Sequence, residues 1–520
     1  MPHSEIVFSG GDVGSASLTR RVASGRLRRL GRGVYTTDLT TPPQQVVLRN
    51  WMEIVGQMMP HAVIVDRSVP TLRPDADGRL YVDHPRDRRL ELPGLIVIPR
   101  RGPGPLANDI PLSGDRLWAS SPGRGLIDNL RPTRTTAGRP APTLSQQELH
   151  EWVGDLAGRG DPERLNRIRD EAKALVPLIG RLGDAERVDS LLGAALGTKT
   201  IATTSAALAA RQSGQPFDRR RALLFHDLAE ALRSTQPTVI ALNPADDARR
   251  AWLPFFEAYF SNFIEGTEFT VDEAVDIIYR HGDAADRPAD AHDIRGTFEL
   301  VSDAAEMRRR PDSPAAFLSL LAERHSKIMA GRPDKHPGEW KRRRNRVGSV
   351  DFVSPADVEG TLARSWSALA AIDSPFHRAV YTMFVVSEVH PFDDGNGRVA
   401  RVMANAELVG GGEARIIIPT VLRDNYLSSL RAMSSHGSAS QLIAALDYAR
   451  RWTAQVDWST QRSAEAGLAA TNATRDPKEA DDAGVRLLLP SALLPSALLP
   501  SALFPSALGR HPPAARPAPE

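Results

Sequence analysis

The sequence predicts a multidomain, mainly α protein in which a small β-rich module precedes a long helical remainder. Three observations predict it. A chain of 520 residues has room for about three or four domains at about 150 residues each. Between Trp51 and Pro132, short apolar runs are separated by Pro, Gly and Asp clusters, which is the text of strands. From Thr143 onward, Leu and Ala recur at helical spacing among charged residues.

Composition narrows the function classes. With 41% hydrophobic and 25% charged residues the chain can bury a sizeable core, so wholesale disorder is excluded. The absence of cysteine removes disulfides, thiol catalysis and Cys-ligated zinc or iron–sulfur, and it suits a reducing cytoplasm. Lys+Arg 65 against Asp+Glu 63 gives a formal charge of +2, so no global field draws the chain to nucleic acid or membrane. Any such binding is local. The opening MPHSEIVFSGG has no basic region followed by an apolar core, so no signal peptide is expected and the chain is placed in the cytoplasm.

Residues 1–50 concentrate positive charge. Arg20, Arg21, Arg26, Arg28, Arg29 and Arg32 lie close together with no acidic residue among them. Ser15 to Gly25 reads as a short helix with Leu18 and Val22 at i, i+4. Arg26 to Thr37 then alternates apolar and basic residues, with Gly31 and Gly33 marking a tight turn between two strands. A helix followed by a basic hairpin is the outline of a winged helix. The segment resembles the N-terminal domain of AbiEi-type antitoxin regulators, in which an arginine-rich stretch followed by Gly-Val-Tyr closes the domain. That resemblance implies DNA contact, with Arg26, Arg28 and Arg29 as candidate contacts. A packing module with solvated arginines is the other reading.

Residues 51–140 continue as a β-rich regulator-like module, and residues 141–240 as a helical connecting region typified by VDSLLGAAL from 188 and RALLFHDLAEAL from 221. Residues 241–455 hold the chemistry. The remainder, 456–520, reads as a low-complexity, disordered tail in which 489–508 are four tandem copies of LPSAL or FPSAL. The uncharged run there is long enough to suggest a membrane span, but Pro490, Pro495, Pro500 and Pro505 each remove a helical hydrogen bond. No membrane span is expected.

The most informative stretch is HPFDDGNGRVAR at 390–401. The apolar run from Phe376 predicts a helix ending at His390, and a second helix runs from Arg398 toward Gly410. A glycine-rich turn at a helix N-terminus presents backbone N–H groups and the positive end of the dipole, an anion cradle suited to a di- or triphosphate. Arg398 and Arg401, three apart, add charge-assisted contacts. Asp394 at the lip suits a hard cation such as Mg2+ bridging phosphates. His390 is placed to take a proton from an incoming hydroxyl. Together these residues describe nucleotidyl or phosphoryl transfer to a hydroxyl.

The stretch is similar, at every fixed position, to the HPFx[D/E]GNGRxxR signature of Fic-domain enzymes. The resemblance implies an α-helical Fic fold with a β-hairpin flap, and transfer of AMP from Mg2+–ATP to a Ser, Thr or Tyr hydroxyl of a target protein. It makes His390 the general base, Phe392 the residue that packs the loop into the core, and Asp394 the Mg2+ ligand. Gly395, Asn396 and Gly397 then hold the inner phosphates, and Arg398 and Arg401 the outer ones. Relatives that phosphorylate tend to carry Lys where this chain has Gly397. SNFIEG at 261–266 resembles the inhibitory motif of the autoinhibited Fic subclass, which makes Ser261, Glu265 and Gly266 an intramolecular brake acting through Arg401. Its helix, about 251–266, carries Phe256, Tyr259, Phe260 and Phe263 at helical spacing.

Residues 338–354 resemble the target-docking flap, an edge that pairs with extended backbone. His325 and Pro337-Gly338 also fit the family pattern, and Tyr426 is a candidate to stack on the adenine. Several signals are set aside. GAALGTKT at 193–200 lacks P-loop spacing. His226-Asp227 and His292-Asp293 lack companion metal ligands and read as caps or surface contacts. Two alternatives remain open: a DNA-binding regulator with a Fic sensor, and a Fic enzyme that uses another donor (UMP, phosphocholine) or removes AMP. Homo-oligomer formation is compatible with all of these.

Overall fold

The computed structural model describes residues 5–10, 15–135, 140–160, 162–280, 282, 286–348 and 350–493. The chain divides into two units, Met1–Arg220 and Arg221–Glu520. The expected boundary at 240/241 therefore moves upstream. The reason is the helix Arg219–Arg233, whose Leu224, Phe225, Leu228 and Leu232 are buried in the core of the second unit.

In the first unit, strand β1 (Ile6–Phe8) is followed by helix α1 (Ser15–Ala23) and by the hairpin β2 (Arg28–Gly31) and β3 (Val34–Thr36). The three strands form an antiparallel sheet in the order β1-β3-β2. Gly33, at φ 80°, makes the reversal that an L side chain resists. Helices α2 (Pro43–Arg49) and α3 (Trp51–Met58) lead into a six-stranded mixed sheet. Its strands are β4 (Ala62–Ile64), β5 (Arg79–Asp83), β6 (Leu90–Leu92), β7 (Leu95–Arg100), β8 (Ile110–Pro111) and β9 (Leu117–Ala119), ordered β6-β7-β5-β4-β9-β8. Helices α4 (Pro122–Asn129), α5 (Gln146–Arg159), α6 (Pro162–Leu178), α7 (Ala185–Ala195) and α8 (Ala206–Gln212) pack around a separate apolar cluster that includes Trp152, Ile168 and Leu192. Of the candidate DNA contacts, Arg28 and Arg29 lie on the N-terminal sheet and Arg26 in the turn leading into it. Arg26 and Arg29 are exposed, and Arg28 donates to the Thr41 carbonyl at 2.8 Å.

The second unit is built on α9 (Arg219–Arg233), α10 (Leu253–Ile264), α11 (Val271–Tyr279), α12 (Pro288–Ser302), α13 (Pro314–Ile328), α14 (Val358–Ala370), α15 (Pro375–Val389), α16 (Asn396–Gly410), α17 (Arg423–His436) and α18 (Ala439–Gln455). α15 and α16 form the central helical hairpin, and the signature loop is its turn. α10 is apolar nearly all round, and accordingly Phe255, Phe256 and Phe260 are buried. Between α13 and α14 lies a short hairpin, β10 (Arg346–Val347) and β11 (Val350–Asp351), turning at Gly348 with φ 59°.

The expectation of a tail from 456 is corrected in its first part. Residues 456–489 continue the domain through α19 (Gln461–Ala470) and α20 (Pro477–Asp482), with Trp458, Leu468, Ala473, Ala480 and Leu487 buried. Trp458 sits between Phe256 and Trp452, at ring centroid distances of 5.5 and 5.7 Å. Apolar residues spaced among charges suffice for two short helices once a core exists to receive them. Most of the LPSAL repeat lies outside the described residues, and no helix among those described is long and apolar enough to cross a membrane.

Replacing Trp458 with Ala should cost about 3–5 kcal/mol of stability. A denaturant midpoint for the second unit equal to wild type would show that 456–489 is not part of its core.

Candidate active site

α15 ends on His390, which caps it in a left-handed conformation at φ 51° while its amide donates to the Val386 carbonyl at 3.0 Å. A non-glycine residue there is strained, a condition that clusters at functional sites. The His390 Nδ1 faces the Ser387 carbonyl at 3.4 Å, a contact that requires the proton on Nδ1 and leaves Nε2 as the acceptor. Burial, reinforced by the positive charge of Lys341, pushes the imidazole down to about 4, so it is neutral at pH 7.

The loop after His390 is held from beneath. Phe392 is fully buried and stacks flat on His325, with centroids 3.6 Å apart, and against Trp340 at 5.1 Å. Asn396 Oδ1 accepts from the Phe392 amide at 2.8 Å and its Nδ2 donates to the Phe392 carbonyl at 2.9 Å. The Asn396 side chain therefore ties the turn shut, and it is the backbone of Asn396 that remains for the cradle. His325 is fixed in one tautomer. Its Nδ1 accepts from the Gly338 amide at 2.9 Å, so Nε2 carries the proton it donates to the Asp394 carbonyl at 2.9 Å. Sequence reasoning noted His325 only as a family position; its partners are remote in sequence.

α16 begins on Gly395, at φ 71° and with no side-chain cap, so its first amides are left for a ligand. An anion already lies there. A Cβ at Gly397 would collide with Glu265 Oε1. α10 delivers this carboxylate at its C-terminal cap, and Gly266, at φ 91°, turns the chain away. Glu265 Oε1 is 2.7 Å from an Arg401 terminal nitrogen, which also donates to the Ser261 carbonyl at 2.7 Å, while Arg401 Nε donates to Ser261 Oγ at 3.0 Å. Ser261, Glu265 and Arg401, far apart in sequence, thus form one unit.

Two expected contacts are arranged differently. Arg398, paired with Arg401 as a clamp, is 3% exposed on its side chain and ion-paired with the fully buried Asp293. Asp293 is shared with Arg332 Nε at 2.7 Å, and Arg332 in turn meets Asp290. This corrects the reading of His292-Asp293 as a cap or surface pair: Asp293 is the buried counter-ion of Arg398. Tyr426 is also corrected. It is 2% exposed, with its hydroxyl directed at Ser387 and Arg401, and presents no open face for stacking.

Asp394 is the group suited to a cation. Its side chain is 43% exposed at the lip, with Oδ1 accepting the Gly395 amide at 2.7 Å and lying 3.9 Å from the Arg398 guanidinium. A single carboxylate fits Mg2+, which keeps most of its waters and takes the rest of its shell from phosphate oxygens. No group of three or more His, Asp or Glu suited to a metal occurs among the described residues.

Residues 317–408 match the Fic/DOC family model. The matched segment, which is similar to that family, lies within the helical second unit. The protein adenylyltransferase Fic of Drosophila persimilis is 26% identical over 241 residues, covering 44% of this chain and 46% of that protein. The protein adenylyltransferase fic-1 of Caenorhabditis briggsae is 30% identical over 115 residues, covering 21% and 22%. Among solved structures, Fic-1 (aa134 - 508) from C. elegans aligns at 18% identity and a TM-score of 0.34, over 63% of this chain and 99% of that one. The chain thus spans about half the length, or less, of the curated relatives it matches.

His325 lies below its ordinary value of 6.5, at about 4, because burial disfavours its charged form. The unfolded chain therefore binds the proton more readily than the folded one. His325 contributes stability fully above pH 6.5 and loses it as pH falls toward 4, by about 3 kcal/mol. Equilibrium unfolding across that range should show the slope, and His325→Gln should reduce it, leaving the part that His390, also lowered to about 4, contributes.

Proposed function

We propose that the Fic domain transfers AMP from Mg2+–ATP to a hydroxyl side chain of a target protein, and that Glu265 holds it inactive. The observation that carries this reading is the seat of the Glu265 carboxylate, against the first turn of α16 and paired with Arg401. That turn is where a triphosphate would rest, so carboxylate and outer phosphates compete for the same space and the same guanidinium.

With the carboxylate withdrawn, His390 Nε2 accepts the proton of the target hydroxyl as its oxygen attacks the α-phosphorus. The bond to the bridging oxygen breaks and pyrophosphate leaves. The amides of the Gly395–Gly397 turn orient the inner phosphates, and Arg401 is released to the outer ones. Arg398, anchored by Asp293, presents fixed positive charge to the same region. Mg2+ on Asp394 would neutralise charge on the leaving pyrophosphate. Support comes from the family match over 317–408 and from relatives named adenylyltransferases.

A second activity is favoured by one observation. Arg26 donates to Ser24 Oγ, Arg28 to Thr41 O and Arg29 to Gly31 O, and none of the three has a carboxylate partner among the described residues. Uncompensated guanidinium groups on a winged-helix-like module fit the phosphates of DNA.

Auto-modification with α-labelled ATP tests the first reading. Glu265→Gly should raise labelling by tenfold or more, the effect of about 1.4 kcal/mol. His390→Ala in that background should lower it by about 10²–10⁴-fold. Equal, background labelling of all three proteins would end the enzymatic reading, and labelling only by another nucleotide would change the donor. For the N-terminal module, replacing Arg26, Arg28 and Arg29 with Ala should weaken DNA retention and flatten its salt dependence by about three charges; retention indifferent to them would remove this activity.

A further inference from the structure

The root of the flap is stitched to the loop that bears His390. The Lys341 amide donates to the Pro391 carbonyl at 2.8 Å, and Lys341 Nζ donates to the Val389 carbonyl at 3.2 Å and to Asn345 Oδ1 at 2.7 Å. Asn345 Nδ2 donates to the Phe392 carbonyl at 3.1 Å. Three of the carbonyls surrounding His390 are thus gripped by two flap residues. At the far end of the hairpin, Phe352 lays its ring on the His390 imidazole, with centroids 3.9 Å apart and planes 8° from parallel. Lys341 Nζ lies 5.8 Å from the centre of that same ring.

Lys341 is 2% exposed, and among the described residues no carboxylate is within ion-pair distance of it. Burying an ammonium on neutral oxygens alone is costly, so its persistence here asks for a reason. The two contacts on His390 supply one. A stacked aromatic fixes the plane of the ring and hence the direction of both nitrogens. A cation close to that aromatic opposes a second proton on the imidazole.

We propose that Lys341 and Phe352 are positioning residues for His390, holding its ring so that Nε2 is presented to the target hydroxyl as a free acceptor. This rests on the reading of His390 as the base. Burial, with Arg221 of α9 and Arg344 of the flap, brings Lys341 down to about 7, while Asp393 opposes them. Lys341 is therefore charged throughout the acid range in which His390 titrates. Facing His390 with the opposite effect are Glu265 from α10, Asp394 and the Ser387 carbonyl.

The experiment follows the imidazoles of the full-length chain, labelled with nitrogen-15 at histidine, by NMR across pH, with His390→Ala identifying the resonance. The His390 midpoint should rise by about 1 unit in Lys341→Met and stay near wild type in Lys341→Arg. A His390 midpoint unchanged in Lys341→Met, in a protein where buried His325 still titrates as in wild type, overturns the assignment. Should Lys341→Met fail to fold, Phe352→Leu carries the test: loss of the stack should mix the two His390 tautomers, and a single unchanged tautomer overturns the proposal. In the Glu265→Gly background, the acidic limb of the rate profile should move with the NMR midpoint. A shifted midpoint in a protein that transfers no nucleotide counts against the adenylyl-transfer reading and leaves this one standing.

Discussion

A buried guanidinium must face an anion, and most of the second unit is arranged around that demand at Arg401. Its position on the second turn of α16 is set by the helix, and its side chain is 7% exposed. Leaving such a charge unpaired in the interior costs several kcal/mol. Here Ser261 and Glu265 answer the demand from the end of α10, whose aromatic face is anchored in the core by Phe255, Phe256 and Phe260. On the proposed function, Glu265 and the outer phosphates would be alternative occupants of one electrostatic vacancy at Arg401.

The same logic explains the unequal treatment of the two signature arginines. Arg398 has its own permanent counter-ion in Asp293, itself shared with Arg332. Arg401 pairs instead with a residue at a helix terminus, followed by Gly266 in a conformation that ends the helix. One arginine is paired from the middle of the scaffold and the other from a helix end. Around them the loop is rigid: Asn396 closes it over Phe392, and the His325 ring beneath Phe392 bonds to Gly338 at one nitrogen and Asp394 at the other.

Much of the candidate site was legible because it is local. HPFDDGNGRVAR contains, within twelve successive positions, the helix end, the glycine turn and the helix start, and each has a chemical meaning at short range. The Ser261–Glu265 element was legible for the same reason, as a helix tip with a carboxylate and a glycine stop. Asp293, Lys341 and Phe352 were not legible as site residues. Their significance lies in contacts spanning roughly 40 to 100 positions, which no periodicity encodes. The burial of Tyr426 and the use of the Asn396 side chain to bond the Phe392 backbone are likewise facts of packing and loop closure. Trp458 was assigned to a tail because the text around it is short and charged, although one large ring between Phe256 and Trp452 is enough to bring the segment into the core.

By itself, then, the sequence determined the local chemistry: a histidine at a helix end, a glycine-capped anion cradle, an acidic lip, two arginines one turn apart and a carboxylate on a separate helix. Short-range backbone geometry is enough for that, since a turn and the first coil of a helix involve only neighbouring residues. Tertiary packing alone decided which arginine that carboxylate meets, which aspartate neutralises the other, and which face of the histidine ring is covered. Those outcomes depend on how helices cross and what each crossing buries, and desolvation then converts proximity into an obligatory pairing of charges.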